Sequence, residues 1–147
     1  CCCSPDNQVP RRIFKTQMIL STFDKNRQIG RAGEFLAAYV LTMYDIKVGH
    51  IDVTGDDLWC RTQKNFYQCQ VKTTIGKYLS SKEKRLPKYH FQLKNNQHYP
   101  GVFILVALDA KLILCKKWDD IPVKVFKIRP EEFTEEAQDK SIKRIFK

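Results

Sequence analysis

The fold is decided by the stretch DLWCRTQKNFYQCQVKT, residues 57–73. Two runs rich in β-forming residues flank the short polar segment Gln63-Lys64-Asn65, and runs joined this closely form an antiparallel hairpin. We therefore predict one strand over Asp57–Thr62 and a second over Phe66–Thr73.

The alternation of side chains along these strands separates an apolar face from a polar one. On the second strand the apolar set, Tyr67, Cys69 and Val71, suits a core, whereas Gln68, Gln70 and Lys72 form the opposite face. On the first strand Leu58 and Cys60 alternate with Asp57. One face of the hairpin can thus present Asp57 beside Gln70 and Lys72.

A carboxylate, an amide oxygen and an ammonium group within reach of one another form a minimal hydrolytic site. The carboxylate can hold a hard divalent cation such as Mg²⁺, and the amide oxygen adds a ligand. The lysine can position or deprotonate a water, or stabilise negative charge on a phosphate oxygen.

Upstream of the hairpin, apolar residues at helical spacing predict a helix over Asp24–Asp45, with Asp24 as N-cap. Gly30 and Gly33 are poor helix formers, so we expect them to allow close approach of the helix to another element. Val48–Val53 is predicted as a strand.

Downstream of the hairpin, residues 74–101 form a long basic crossover, and Val102–Leu108 is a continuous apolar run typical of a central strand buried on both faces. The further predicted elements are a short helix over Phe91–Tyr99, a strand over Leu112–Lys116, an edge strand over Val123–Ile128 and a helix over Pro130–Phe146. This order predicts a small α/β (α+β) domain with a mixed sheet.

Composition limits the classes of function. The chain is 43% hydrophobic and 29% charged, as expected of a folded globular domain, and no apolar run approaches the roughly 20 residues that span a bilayer. The formal net charge of +10 indicates a polyanionic partner, with nucleic acid first and an anionic membrane surface second. A solvated basic surface is the alternative.

The cysteines point to a reducing compartment. Cys60, Cys69 and Cys115 lie in apolar, strand-like stretches, and the sequence has neither a CxxC pair nor zinc-finger spacing of its histidines. We therefore predict reduced core thiols in a cytoplasmic, DNA-containing compartment.

The N-terminal segment Cys1-Cys2-Cys3-Ser4-Pro5 resembles no signal peptide. We predict that residues 1–17 are a disordered or non-native extension without a functional role, and that residues 18–147 form a single domain. A loss of thermal stability on deletion of residues 1–17 would contradict this prediction.

The spacing of these motifs resembles that of the PD-(D/E)xK nuclease superfamily, in its QxK variant. Gly-Asp-Asp-Leu occupies residues 55–58, and Gln70-Val71-Lys72 follows, with Gln70 lying 13 positions after Asp57. The segment IGRAGEFLAA, residues 29–38, is similar to the first core helix of that superfamily. The resemblance covers residues 26–110 and is closest to small homing-endonuclease-like or Holliday-junction-resolvase-like members.

The resemblance implies a restriction-endonuclease-like α-β-β-β-α-β core, a mixed central sheet flanked by helices, and a metal-dependent site. Asp57 would be the principal metal ligand and Glu34 a helix-borne ligand of the metal or of water. Gln70 would occupy the position of the motif acid on the second strand of the hairpin. The Val71 carbonyl would be a further ligand, and Lys72 would be the catalytic lysine. The implied metal is Mg²⁺, with Mn²⁺ as a substitute.

Two departures from the superfamily pattern leave alternatives open. Asp56 stands where the pattern has proline, so either aspartate could be the ligand; Asp57 is preferred because Leu58 would then point into the core. Gln70 replaces an acid, which removes one charge and should weaken metal binding.

The basic crossover supplies candidate DNA contacts. Threonine hydroxyls at the end of the third strand could bind phosphates, and the cations of the crossover could lie along a DNA backbone. These candidates are Thr73, Thr74, Lys77, Lys82, Lys84, Arg85 and Lys88. Trp59 and Trp118 could stack on bases, although core packing or a dimer contact is the competing interpretation.

The resulting prediction is a Mg²⁺-dependent endodeoxyribonuclease that acts on DNA. The alternatives are a non-catalytic DNA-binding module on the same fold and, less favoured, a structural RNA-binding protein. We expect a homodimer or higher homo-oligomer, because cutting both strands requires two sites.

Overall fold

The computed structural model describes residues 22–78, 86–93, 98–121 and 124–147. The predicted extension over residues 1–17 and the basic residues Lys82, Lys84 and Arg85 lie outside this part. The helices and strands are, in chain order, α1 (Thr22–Met43), β1 (Lys47–Val53), β2 (Asp56–Arg61), β3 (Phe66–Thr74), β4 (Tyr89–Gln92), β5 (Val102–Ala107), β6 (Leu112–Lys117), β7 (Val125–Ile128) and α2 (Glu135–Ile145).

A mixed sheet forms the centre of the described structure, which confirms the predicted fold class. Its strand order is β1-β2-β3-β5-β6. The pairs β1–β2, β2–β3 and β5–β6 are antiparallel, whereas β3 and β5 are parallel. A parallel pair requires the chain to return to the end of the sheet at which the first strand began, and the connection of residues 75–101 between β3 and β5 is long enough for this.

The hairpin that carries the candidate site forms as predicted. Leu58 pairs with Cys69 and Cys60 with Tyr67. The turn is closed by Thr62, whose backbone N–H donates to the Asn65 carbonyl at 2.9 Å. Leu58, Cys60 and Cys69 are fully buried, so one face of the hairpin belongs to the core.

Strand β5 is buried on both faces, as its apolar run predicts. Val102, Ile104 and Val106 pack with α1 and α2, and the alternate residues, including Phe103 and Leu105, belong to a second apolar cluster on the other face. All six residues of β5 are buried. Each face of the central strand therefore needs its own covering layer.

Both described helices lie on the same face of the sheet. Ala37 and Leu41 of α1 and Ile142 and Ile145 of α2 join one core cluster with the sheet. The opposite face of β5 is covered by a separate two-stranded sheet of β4 and β7.

This second sheet corrects two sequence predictions. The helix predicted over Phe91–Tyr99 is wrong where it begins, because Tyr89–Gln92 is strand β4; residues 94–97 lie outside the described part. Tyr89, Phe91 and Leu93 are buried while Gln92 is exposed, which is the two-residue period of a strand. The predicted edge strand over 123–128 does form, over Val125–Ile128, but it pairs with β4 rather than extending the central sheet.

The C-terminal helix begins later than predicted. Pro130–Glu132 forms a separate 3-10 turn, and α2 starts after Thr134, whose Oγ1 accepts a hydrogen bond from the Ala137 N–H at 3.2 Å. A capping hydroxyl satisfies an N–H group that the first helical turn cannot. The acidic start and basic end of the helix agree with the prediction.

The described cysteines are free and buried, as predicted. Cys60, Cys69 and Cys115 form no disulfide, and the Sγ atoms of Cys60 and Cys69 are 3.6 Å apart. Among the described residues, no helix is both long enough and apolar enough to cross a membrane.

Candidate active site

Helix α1 brings Glu34 to the hairpin because Gly33 lies directly against β3. A Cβ atom at position 33 would collide with the Thr73 side chain, so only glycine allows the observed approach. The next residue, Glu34, is held at this junction with its side chain 18% exposed. One carboxylate oxygen of Glu34 accepts a hydrogen bond from Arg31 Nη1 at 3.1 Å.

Asp57 is held at the junction of β2 and β3 by a backbone hydrogen bond. Its Oδ2 accepts from the Val71 N–H at 2.8 Å. Leu58 is fully buried, as expected if Asp57 rather than Asp56 is presented at the site. The carboxylate of Asp57 is therefore fixed relative to the strand that carries Gln70 and Lys72.

The acids and the lysine interact electrostatically. Burial raises the pKa of the Asp57 carboxyl, whereas the Val71 N–H and the positive charge of Lys72 oppose that change. Burial is also the main cause of the raised pKa of Glu34, followed by the negative charge of Asp57. The charge of Asp57 therefore acts on Glu34 and that of Lys72 acts on Asp57, while Lys72 pairs with Leu105, whose side chain lies on the face of the sheet opposite α1.

Asp56 has different partners. Its Oδ1 accepts a hydrogen bond from the Tyr99 hydroxyl at 2.7 Å, and its Oδ2 accepts one from Trp59 Nε1 at 3.1 Å. Both oxygens therefore already accept hydrogen bonds: the one from Tyr99 links the start of β2 to the segment before β5, and the one from Trp59 lies within β2. This arrangement favours Asp57 over Asp56 as the ligand of a cation.

The sequence alone predicts no role for Tyr99. Burial and the neighbouring carboxylate of Asp56 raise the pKa of its phenol, so the hydroxyl remains a donor to Asp56 at neutral pH. In the sequence, its place in Tyr99-Pro100-Gly101, immediately before the apolar run that forms β5, is the feature that points to it. Only the fold shows that this segment lies beside the start of β2.

The remaining strand residues are partly buried. Gln70 pairs with Phe103 of β5 in register, and Lys72 pairs with Leu105. Val71 donates its N–H to Asp57. Within the described residues, no three side chains of the His, Cys, Asp and Glu types form a cluster suited to a metal ion. The acidic part of the candidate site is therefore a pair of carboxylates.

The predicted DNA contacts fall into different environments. The Thr73 hydroxyl is buried beside Gly33 without a hydrogen-bond partner in the described structure, so it is not presented to a phosphate. Thr74 Oγ1 donates to the Gly76 carbonyl at 3.1 Å. Lys77 is exposed, and Lys88 is partly buried beside Tyr78, to which its backbone is hydrogen-bonded.

The comparisons with known proteins identify a shared fold. No family model matches the chain, and no curated protein matches it in sequence. Among solved structures, it is similar to a bacterial homing endonuclease, I-Ssp6803I, with a TM-score of 0.57 and 13% sequence identity. The match covers 84% of this chain and 96% of that one. This likeness shows that the two chains share a fold.

Proposed function

We propose that this chain is a divalent-metal-dependent endodeoxyribonuclease, a QxK variant of the PD-(D/E)xK superfamily that hydrolyses DNA phosphodiester bonds. The observation that carries the proposal is the position of Asp57, whose Oδ2 accepts a hydrogen bond at 2.8 Å from the N–H of Val71, the residue between Gln70 and Lys72. The charge of Asp57 also acts on Glu34 of α1. The same fold in a bacterial homing endonuclease supports it.

The two carboxylates suit a hard cation. Oxygen donors are the ligands that Mg²⁺ prefers, and a divalent charge between Glu34 and Asp57 would offset both their burial and their mutual repulsion. The Gln70 amide and the Val71 carbonyl are the proposed additional ligands. Bound Mg²⁺ or Mn²⁺ would supply a Lewis acid for a phosphate oxygen and would lower the pKa of a bound water.

The side chains of the protein contribute charge and orientation. The charge of Lys72 acts on Asp57, and in this proposal its ammonium would stabilise the negative charge that develops on a phosphate oxygen and would orient the attacking water. The guanidinium of Arg31 neutralises part of the charge of Glu34. Thr74, Lys77 and Lys88 are proposed to contact the DNA backbone.

A cleavage assay on supercoiled, linear and four-way-junction DNA with Mg²⁺ or Mn²⁺ tests the activity. We expect Lys72→Ala to bind DNA and to lose cleavage, because the lysine acts on the developing charge rather than on ground-state binding. Lys140→Ala, on the exposed surface of α2, is the matched control and should cleave normally. Full cleavage by Lys72→Ala would refute the assignment.

Calorimetric titration of Mg²⁺ or Mn²⁺ tests the metal site separately. We expect Gln70→Glu to tighten metal binding, because it adds a charged oxygen in a nearly isosteric side chain. Glu34→Gln should abolish detectable binding. If the Glu34 variant binds metal as the wild type does, Glu34 is not a ligand.

A non-catalytic DNA-binding module is the second candidate, and the neutral amide of Gln70 favours it. A site with fewer charged ligands holds a cation less tightly. DNA binding without nicking under either metal would support this alternative over the nuclease.

We also propose a homodimer or higher homo-oligomer, because a double-strand cut requires a site for each strand. Sedimentation equilibrium of the purified chain, with and without DNA, tests this; a monomer under both conditions would contradict it.

A further inference from the structure

The face of the hairpin opposite the helices is open along much of its length. Trp59 and Phe66 are 38% and 56% exposed, and their rings meet edge to face with centroids 5.5 Å apart. Gln68 pairs with Trp59, and Arg61 pairs with Phe66, so all four side chains lie on the same side of the sheet. Within the described structure, β4 and β7 cover the face of β5 but leave this surface accessible.

The open face extends from β1 to a neighbouring cleft. Lys47 of β1 pairs with Arg61, and Gly49 pairs with Trp59, which leaves the tryptophan without a bulky neighbour on that side. On the other side a cleft of about 430 Å³ is lined by Phe66, Gln68, Tyr99 and Lys117, among others. We call the surface formed by Lys47, Trp59, Arg61, Phe66 and Gln68 the hairpin platform.

Charge and chemistry on the platform favour a nucleic acid. Lys47, Arg61 and, beside the cleft, Lys117 are exposed cations. The acids nearby are Asp119 at the cleft and Asp56, and both carboxylate oxygens of Asp56 already accept hydrogen bonds. Exposed apolar rings can contact thymine methyl groups or sugars in a groove of the duplex, amides can bind base edges, and cations bind phosphates.

The platform is continuous with the candidate active site. At about 3.3 Å per strand residue, Arg61 lies about 13 Å from Asp57 along β2, and Phe66 about 20 Å from Lys72 along β3. Along duplex DNA, with about 3.4 Å per base pair, these lengths correspond to four to six base pairs.

We propose that the hairpin platform is a DNA-docking surface that contacts duplex DNA four to six base pairs from the phosphate held at Asp57 and Lys72. Lys47 and Arg61 bind backbone phosphates, and Trp59, Phe66 and Gln68 contact the bases or sugars of the adjoining groove. The proposal rests on the proposed function, because it takes DNA as the substrate of the neighbouring site.

Fluorescence anisotropy with a labelled 30-base-pair random duplex, in EDTA to prevent cleavage, tests the platform. We expect Arg61→Gln to weaken binding about tenfold and to reduce the slope of log K against log salt by about one, as for the loss of one phosphate contact. Phe66→Ala should weaken binding several-fold with an unchanged salt slope. Lys140→Gln and Tyr39→Ala, at exposed positions of the helical layer, are the matched controls and should bind normally.

Photo-crosslinking detects contact with DNA directly rather than through a change in affinity. p-Benzoylphenylalanine at position 66 should crosslink to the duplex, whereas the same group at position 39, which is 64% exposed in the wild type, should not. Thermal melting verifies that each variant folds.

The outcomes separate this proposal from the function on which it rests. If the wild type binds DNA while the platform variants bind equally well and position 66 does not crosslink, the platform proposal is overturned and the nuclease proposal stands. If the wild type does not bind duplex DNA under any salt condition, both fall. Protein–protein crosslinks from position 66 in place of DNA crosslinks would assign the surface to a second copy of the chain instead.

Discussion

At the scale of single residues, burial raises the pKa of the carboxyl groups of both Glu34 and Asp57. A raised pKa means that the folded state binds the proton more tightly than the unfolded state does. Protonation of the two carboxyl groups therefore stabilises the folded protein. This stabilisation is fully present below the ordinary carboxyl pKa and is lost as the pH rises through the raised pKa. At neutral pH in the absence of a cation, both charges therefore destabilise the fold.

We predict that Glu34→Gln and Asp57→Asn are more stable than the wild type at pH 7.5 in EDTA, and that this advantage disappears at about pH 4. Added Mg²⁺ should raise the melting temperature of the wild type and not that of either variant. Thermal melting across this pH range provides the measurement. A wild type that is more stable than both variants at pH 7.5 would show that Arg31 and Lys72 already compensate the two charges.

Tyr99 provides a second prediction at this scale. Tyr99→Phe removes the donor to the charged Asp56 and should lower the free energy of unfolding by about 1.5–3 kcal/mol. Tyr39→Phe is the control, because Tyr39 is 64% exposed and should lose almost nothing. Urea denaturation of the two variants makes the comparison, and equal stabilities would mean that water replaces the lost donor.

At the scale of secondary structure, the contact of α1 with β3 depends on one glycine. Gly33→Ala should destabilise the protein by about 1–3 kcal/mol, because the new methyl group collides with Thr73. Gly30→Ala is the matched control on the same helix: no atom lies within 4 Å of its added Cβ, so it should stabilise the helix by about 0.5–1 kcal/mol.

The double variant Gly33→Ala/Thr73→Ala tests the reason for this difference. Removal of the Thr73 hydroxyl and methyl groups relieves the two closest contacts of the new methyl group, but the Cβ of residue 73 remains 2.8 Å away; the change also removes a buried hydroxyl that has no partner within the described structure. We expect part of the lost stability to return. Denaturation curves that remain as low as those of the single variant would place the strain elsewhere.

The elements also show what the sequence can and cannot predict. The hairpin from Asp56 to Thr74 was predictable because its alternation and turn are local. The approach of α1 to another element was predictable from Gly33 in a helical pattern, but not its contact with Thr73. The pairing of β4 with β7 was not predictable, because more than thirty residues separate the two short strands and only tertiary packing selects their partner.

At the scale of the whole molecule, β5 joins the two apolar clusters, because its alternate side chains belong to one cluster on each face of the sheet. Phe91 is 2% exposed and packs with Phe133 in the cluster beneath the two-stranded sheet, while Phe103 and Leu105 contribute to that cluster from the central strand. The two-stranded sheet should therefore unfold together with the central sheet rather than as a separate unit.

We predict that Phe91→Ala lowers the free energy of unfolding by about 3–5 kcal/mol and that its denaturation remains a single transition. Circular dichroism and tryptophan fluorescence should give coincident curves, because Trp59 and Trp118 lie over different parts of the sheet. Two separated transitions would show that the β4–β7 layer unfolds independently.

The parallel pairing of β3 with β5 has a consequence for the order of folding. Strands β1 to β3 pair through short turns, whereas β3 and β5 meet only after the chain from Ile75 to Gly101 has closed a long loop, which is slow because of its entropy. We therefore expect the hairpin amides to become protected before those of β5 in pulsed hydrogen exchange during refolding. Lys72 would reach its final surroundings late, so in a newly made chain the hairpin would form first and the packing of Lys72 beside β5 would form last.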